Sequence, residues 1–491
     1  MRMILRIHLQ NIEITSQTTK SNPETMGRYH TNWLNMMYPR LRLASNLLRD
    51  DGVIFISIDD NEAVNLLRLC DEVFGEENFV AQMPWRKRTS KSDVPFGVSQ
   101  DYEWVICYAK SSDLSAGIRF ERKYYSSPDY PNDRWRLSDL TTQKIESQRP
   151  NSAFDLVDPK TGKVYKYNPK RLWGITKDTF QDYYDKGKIV FPDDYKFLNI
   201  TIPSYRVFES EDKQKALAKY GKEYAMKAMS TVIPSEVGMS EDGNKECAGL
   251  LGNNIFSFPK PSALIKYFLN STTTDSDIIL DFFSGSATTA HAVMQLNAED
   301  GGKRQFIMVQ LPELCDEKSE AFKAGYKNIC EIGKERIRRA GAKIKEYNAD
   351  VDVGFKVLKL DTSNLVKWDD TPVSETEVLR ERFDSVVKTL KFDRSELDVV
   401  YEVMLKLGIP VTYQVNLTDI NGRKVYSIGD DGLILVCLDG SNGGITPEDI
   451  SAMCDLTPAK IVAAEEAFKD DVALSNAYYI SKDKGVEIEL L

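Results

Sequence analysis

The stretch "IILDFFSGSATTAHAV", Ile278 to Val293, leaves this chain few folds to choose from. Ile278-Ile279-Leu280 is a short apolar run ending in Asp281, and from Thr288 onward Ala290, Val293 and Met294 fall at helical spacing, so the segment reads as strand, tight loop, helix. That is the geometry of a nucleotide-type binding turn. A glycine in the turn lets backbone approach a ligand closely, and free amides at the start of the following helix attract anionic groups. The residues themselves leave the ligand open.

The same alternation of strand and helix recurs elsewhere. From Asn35 to Phe74 the pattern gives a helix ("NMMYPRLRLASNLL"), a turn at Arg49-Asp50-Asp51-Gly52, an all-apolar strand ("VIFISI"), then Asp59-Asp60 and a second helix. This is an αβα piece of a parallel sheet. Two more strands follow, "FVAQMPW" and "WVICYAK". After Lys110 the character changes to Pro, Gly, Tyr and short alternating stretches, with one helical pattern, "EDKQKALAKYGKEYAMKAM", before about Asn253. Regular α/β resumes at "FSFPKPSALIKYFLN" and continues through the Ile278 turn, the strand "RQFIMVQL" and a basic helix containing "NICEIGKERIRRAGAKIKEY". From about Val351, hairpin signals at Asn421-Gly422 and Asp431-Gly432 mark a separate α+β unit. The expected divisions are 1–110, 111–252, 253–350 and 351–491.

Bulk composition narrows the class. With 42% hydrophobic and 28% charged residues the chain has a soluble globular profile and length for about two to four units. Its apolar runs fall short of the roughly 18 residues that a membrane span needs, and the start lacks the small-residue cleavage site of a secretory signal. The seven cysteines are scattered without metal-ligand spacing, which suits reduced thiols in a cytoplasmic protein and gives no expectation of a metal. The three histidines, His8, His30 and His291, form no nucleophilic or metal-binding pattern.

The net charge of −10 argues against a nucleic-acid partner only until it is resolved along the chain. Residues 81–200 carry 21 Lys+Arg against 16 Asp+Glu, net +5, whereas residues 361–491 carry 13 against 25, net −12. Within the basic middle, "WRKRTSK", "ERKYYSSPDYPNDRWR" and "KVYKYNPKRLW" interleave cations with aromatics. That pairing contacts phosphates and stacks on bases, and it equally describes a solvated surface.

"ILDFFSGSATTAHA" resembles the S-adenosylmethionine-binding turn of DNA amino-methyltransferases, whose pattern is an acid followed by Phe-x-Gly-x-Gly; Phe283-Ser284-Gly285-Ser286 fits and Ala287 replaces the second glycine. Upstream, "FSFPKPSALI" resembles the segment that closes over the methionine carboxylate in those enzymes, and downstream "FIMVQL" leads to Glu313, where they place an acid for the ribose hydroxyls. "TNWLNMMYPRLRLASNLLRDDGVIFISIDDNE" and "LCDEVFGEENFVAQMPWRKR" resemble the modification subunits of type III restriction-modification systems, bacterial adenine-N6 methyltransferases, in which a catalytic half precedes the recognition region and the cofactor half follows it.

The resemblance implies a Rossmann-like S-adenosylmethionine-dependent methyltransferase sheet with an inserted target-recognition domain and a carboxyl-terminal α+β unit. It implies double-stranded DNA as substrate, a helicase-nuclease restriction subunit as partner and a homodimer. The family's catalytic Asp-Pro-Pro-Tyr is absent, since neither Asp-Pro-Pro nor Asn-Pro-Pro occurs in this sequence. Residues 1–18 look unlike the family, so a truncated chain without its target-adenine loop and first strand is expected, with no catalytic residue to assign. A non-catalytic recognition or assembly subunit is therefore the alternative, and the residues present do not separate adenine-N6 from cytosine-N4 transfer.

For the cofactor the resemblance implies Asp281, Phe283, Gly285, Ser286, Glu313 and Lys260; for DNA, Trp85, Arg86, Lys87 and Arg88. Each has a plainer reading. Asp281 could cap the helix, Gly285 could serve the turn alone, Pro312 makes Glu313 a turn residue, Lys260 could lie on the surface and Trp85 could belong to the core. Asp59 and Asp60 read first as helix caps.

Overall fold

All six residues of Val53–Ile58 are buried, which places this strand in the middle of the structure. In the computed structural model the described residues are 3–8, 30–89, 97–119, 122–221, 224, 226–366, 390–391, 393–429 and 432–491. They divide into a unit Met1–Gly354 and a unit Phe355–Leu491.

The first unit is built on β1 (Met3–His8), α1 (Thr31–Leu47), β2 (Val53–Ile58), α2 (Ala63–Phe74), β3 (Phe79–Arg86) and β4 (Tyr102–Ala109). Its insertion contains β5 (Tyr125–Ser127), β6 (Tyr130–Ser138), α3 (Lys177–Asp185), β7 (Ile189–Val190), β8 (Ser204–Phe208) and α4 (Glu209–Tyr220). Then come α5 (Ser240–Leu251), α6 (Ser262–Thr272), β9 (Ile278–Asp281), α7 (Thr288–Asp300), β10 (Gln305–Met308) and α8 (Ile329–Lys345).

The main sheet has six strands in the order β10-β9-β1-β2-β4-β3. β10, β9, β1 and β2 run parallel, while β4 is antiparallel to both β2 and β3. Period-two alternation decides how β2 is covered. Ile54, Ile56 and Ile58 pack with Trp33, Met37, Leu41, Leu66 and Cys70 on one face. Val53 and Phe55 meet Leu264, Phe268, Ala292 and Val293 on the other, with the Phe55 and Phe268 rings stacked at 4.5 Å. Each such burial stabilises by about 1.5–3 kcal/mol. A strand covered on both faces must be apolar throughout, as "VIFISI" nearly is.

β1 overturns the expected lack of a first strand. Met3–His8 lies between β9 and β2, with Ile4 beside Ile279 on one side and Val53 on the other. The slot between two parallel strands presents two rows of backbone groups that need partners, and "MILRIH" supplies them. Residues 9–29, which include Asn22-Pro23, lie outside the described residues.

Other boundaries also shift. α1 begins at Thr31, before Asn35, and contains Pro39. The helix expected over 211–229 is α4, which ends at Tyr220 because Gly221 takes a left-handed φ of +64°; Met226–Lys227 is then a strand. "RQFIMVQL" keeps strand geometry only over Gln305–Met308. In the insertion, β7, β8, β6 and β5 form an antiparallel sheet beside a core that includes Leu140, Leu156, Trp173, Ile175 and Phe191.

The second unit carries α9 (Glu396–Lys406), β11 (Val415–Ile420), β12 (Arg423–Ile428), β13 (Ile434–Cys437), α10 (Pro447–Asp455), β14 (Lys460–Ala463), α11 (Asp471–Asp483) and β15 (Glu487–Leu490). The five strands lie in sequence order. The turn between β11 and β12 holds Asn421 at φ +56° and Gly422 at φ +80°, the two positive angles that a tight Asn-Gly hairpin requires. β12 and β13 also pair antiparallel, although Asp431 lies outside the described residues. Among the described residues, no helix is long and apolar enough to cross a membrane, and no group of three or more His, Cys, Asp and Glu could hold a metal ion.

Candidate functional site

The parallel register brings the end of β9 (Asp281) level with Met308 on β10 and Arg6 on β1. In an open parallel sheet this carboxyl edge is where ligands bind. Asp281 is 2% exposed. One carboxylate oxygen accepts the Thr289 hydroxyl at 2.6 Å and the other accepts the Phe283 amide at 3.2 Å. The acid thus ties the strand end to the Thr289 side chain in the first turn of α7 and fixes its own orientation, without capping the helix, whose N-cap is Ala287.

The backbone of the turn is held from both neighbouring elements. The Gly285 amide donates to the Gln310 side chain at 2.7 Å, the Ser284 amide to the Val309 carbonyl at 3.2 Å, and the Ala287 amide to the Ser284 carbonyl at 2.7 Å. The amides of Phe283, Ser284, Gly285 and Ala287 therefore each have a protein acceptor, so the loop ahead of the helix start is held by the protein itself. What the turn offers a ligand is close approach of backbone. Gly285 sits at φ +49°, and a Cβ there would stand 3.2 Å from the Phe256 ring. Ala287, at the position of the family's second glycine, is left-handed at φ +58°, a conformation that costs an L-residue roughly 1–2 kcal/mol.

Phe256 belongs to "FSFPKP", so this segment covers the turn. Beside it a cleft of about 330 Å³ is lined by α5 residues, among them Asn244 and Cys247, and by Asn253–Phe258. It adjoins the turn through Phe256 and includes neither Asp281 nor Glu313. Phe258, 61% exposed, is also left-handed at φ +54°, a strained state for a bulky residue. α5 is pressed against the same segment, since a Cβ on Gly243 would lie 2.1 Å from the Pro259 carbonyl oxygen. Gly285 is thus tightly covered by the Phe256 ring.

The expected residues fall into three groups. Asp281, Phe283, Gly285 and Ser286 are brought together at the turn. Glu313 is exposed and lies in the loop beyond β10, with its backbone paired to Leu311 and Ile329. Lys260 lies apart: it is 2% exposed, paired with Glu103, and its ammonium sits 4.6 Å from the centre of the Trp85 ring. Gln310, which holds the turn, carried no motif that sequence reading could use.

The cationic run at the end of β3 is divided in the same way. Trp85 is 1% exposed and donates its indole N–H to the Gly238 carbonyl at 3.0 Å, so it packs the core and leaves no face for a base. Lys87 is 3.3 Å from Glu103, Arg88 reaches Ser99, and Arg86 is exposed. Glu103 has its carboxyl lowered: burial raises it, and the bonds and charges of Lys260 and Lys87 outweigh that. At the end of β2, Asp59 accepts the Asn61 amide and side chain, and Asp60 accepts the Trp104 indole N–H at 2.6 Å; neither caps α2, whose N-cap is Glu62, so the expected capping role is corrected.

The insertion pairs much of its positive charge with its own acids, partly shielded at Asp212 and at the surface for Arg134, Lys160 and Lys163. Arg122 and Arg136 converge on Asp212, Arg134 on Glu209, Lys160 on Asp194 and Lys163 on Asp193. Lys144, Arg149, Lys166 and Lys170 are exposed.

Comparison with known proteins places this geometry. A family described as DNA methylase matches residues 15–339. The chain is 36% identical over 352 residues to the Mod subunit of the type III restriction-modification enzyme StyLTI of Salmonella typhimurium, covering 70% of this chain and 50% of that one. It is 28% identical over 513 residues to the EcoP15I Mod subunit of Escherichia coli, covering 94% of this chain and 73% of that one. The chain thus spans half the length of the StyLTI subunit. Among solved structures, the cytosine-N4-specific PvuII DNA methyltransferase is 12% identical with a TM-score of 0.32, covering 69% of this chain and 86% of that one.

Proposed function

Because the chain belongs to the DNA methylase family, we propose that it is the modification subunit of a type III restriction-modification system, an adenine-N6 methyltransferase acting on double-stranded DNA with S-adenosylmethionine. The observation that carries this reading is the turn itself: Asp281 at the end of β9, a left-handed Gly285 beneath Phe256, and the chain's similarity to type III Mod subunits on both sides of the insertion.

When bound, S-adenosylmethionine supplies an electrophilic methyl group on sulfur. The chain's own residues bind and orient. Asp281, fixed by Thr289, holds the strand end against α7. Gly285 lets backbone approach the ligand. Glu313 is the acceptor for the ribose hydroxyls, and Phe256 and Phe283 give apolar cover. Lys260, if its ammonium leaves Glu103, is the cation for the methionine carboxylate. The insertion selects the DNA site, with Arg86 at its near end. A homodimer, a helicase-nuclease restriction subunit and a cytoplasmic location complete the proposal.

One observation favours a second reading. The sequence contains no Asp-Pro-Pro or Asn-Pro-Pro tripeptide. A polar side chain and a proline-stiffened carbonyl would orient the target amine, and an aromatic would stack on the flipped base. Without them the chain is a recognition or assembly subunit that keeps the fold.

Calorimetry with S-adenosylmethionine tests the site: Asp281→Ala and Gly285→Val each lower affinity at least 100-fold, and unchanged affinity in both removes the assignment. Tritiated-methyl incorporation into adenine of unmethylated DNA separates the two readings. Transfer by the chain supports the first reading, and no transfer supports the second. Transfer by the chain alone would show that other residues replace that segment.

A further inference from the structure

Four elements far apart in sequence meet in one buried polar network behind the turn. Arg336 on α8 is 0% exposed. One of its terminal nitrogens donates to the hydroxyls of Ser286 and Thr288, both at 2.8 Å, and the other lies 3.4 Å from Glu246 on α5. Glu246 in turn lies 2.7 Å from His291 Nδ1 on α7 and accepts the backbone N–H of Ser262 at 2.9 Å. Ser262 is the first residue of α6, directly after "FPKP".

A single carboxylate therefore fixes the covering segment, and through Arg336 it fixes the two hydroxyls of the turn. The helix that carries Arg336 is held close: Gly333, one turn earlier on the same face, would place a Cβ 3.3 Å from the Gly285 carbonyl oxygen. Burial raises the Glu246 carboxyl, but His291 at 2.7 Å and the Arg336 charge outweigh it and hold it below the ordinary carboxylate range. The Arg336 Nε finds no acceptor among the described residues. A buried charge with an unmet donor is a poor way to add stability.

We propose that Arg336 and Glu246 are positioning residues for the cofactor, holding the Ser286–Thr288 turn and the Phe256–Pro261 segment at the spacing that binding requires. This rests on the reading of the turn as the S-adenosylmethionine site. Neither residue touches the ligand's reacting atoms, and both act through the backbone they hold.

The test compares Glu246→Gln, Arg336→Met and the double variant by thermal unfolding and by calorimetric titration with S-adenosylmethionine. Glu246→Gln leaves the buried Arg336 charge unpaired, and Arg336→Met leaves Glu246 with only His291 and the Ser262 amide; both lower Tm. The double change removes both charges, so Tm returns toward that of the wild type, while affinity stays at least 10-fold weaker. Recovery of affinity together with Tm would overturn the proposal, because the network would then serve stability alone. A further variant, Ser286→Ala with Thr288→Val, keeps the charge pair and removes only the hydroxyls that Arg336 holds; it too binds at least 10-fold more weakly. Wild-type affinity there would overturn the proposal even if the double variant failed to fold. A wild-type chain that binds no S-adenosylmethionine at all would remove the functional reading, and this inference with it.

Discussion

The turn after β9 and the inserted region both depend on charged side chains shielded from water, and they use them for different ends. At the turn, Asp281, Glu246 and Arg336 bond to backbone amides or to hydroxyls on the turn, so their charge shapes the path of the chain. In the insertion, Arg122, Arg136 and Tyr124 converge on Asp212, so charge there joins helix α4 to the small sheet. A backbone-shaping charge leaves a motif, because the backbone it holds needs glycines. A charge that pairs with another side chain leaves only composition, which counts it as though it faced solvent.

The sharpest break between the two regions comes from Gly243→Ala. The added Cβ would lie 2.1 Å from the Pro259 carbonyl oxygen, so the covering segment must move. Overpacking of this kind costs about 3 kcal/mol, and S-adenosylmethionine affinity falls with it. A urea midpoint within error of the wild type would show that α5 does not clamp the segment.

Asp212→Asn comes next. It strips the charge shared by Arg122 and Arg136 and destabilises by about 2 kcal/mol, while cofactor affinity stays within twofold. A parallel loss of affinity would mean that the two regions are one cooperative structure. The same group sets an acid limit. Burial raises the Asp212 carboxyl, but the Arg136 and Tyr124 hydrogen bonds and the Arg136 and Arg122 charges outweigh it, so the folded pKa lies below the ordinary value. Its contribution is therefore full above about pH 4, near the unfolded carboxylate pKa, and is lost as pH falls through the folded value. Stability followed by circular dichroism should fall in that window for the wild type and stay flatter for Asp212→Asn.

Smaller effects sharpen the contrast. Lys170→Ala, at an exposed cation, lowers the slope of log DNA affinity against log salt by about 1. Arg134→Ala, whose partner is Glu209, leaves the slope unchanged. Equal slopes for the two variants would mean that internal pairing does not decide which cations meet phosphate. Ala287→Gly relieves a left-handed alanine and adds unfolded-state entropy. The terms oppose, so thermal unfolding should shift by less than about 1 kcal/mol, and a larger loss would assign the Ala287 methyl a packing role against Gly333.

Much of the sheet was legible because its signals are local. "VIFISI" is apolar at every position but Ser57, as two covered faces demand, and "ILDFFSGS" puts an acid and a glycine where a strand turns into a helix. Asn421-Gly422 fixed a hairpin through its own two dihedral angles. The misses depend on distant partners. Met3–His8 is a strand because β9 and β2 leave a slot for it, and nothing within "MILRIH" records that slot. α4 was drawn too long because Gly221 interrupts an otherwise helical run. Trp85 and Lys260 looked like contact residues in isolation, and Glu103, contributed by β4, draws Lys260 inward beside Trp85. Gln310 and Arg336 carry no motif, since each acts only on a turn that lies elsewhere in the sequence.

The strand order β10-β9-β1-β2-β4-β3 has a consequence for how the chain is made. β1 is complete when His8 has been added, and one of its neighbours, β2, follows at Val53–Ile58, but its other neighbour begins only at Ile278. At a synthesis rate of roughly 5–20 residues per second that interval is on the order of tens of seconds. Throughout it the nascent sheet carries a half-paired inner strand and the ribosome is still producing the insertion. The insertion therefore has time to fold first, and docking of β9 is the late step that closes the sheet. Slowing or pausing translation between α5 and β9 lengthens the exposure of that open edge, so yield of folded chain should depend on synthesis rate over this window more than over any other.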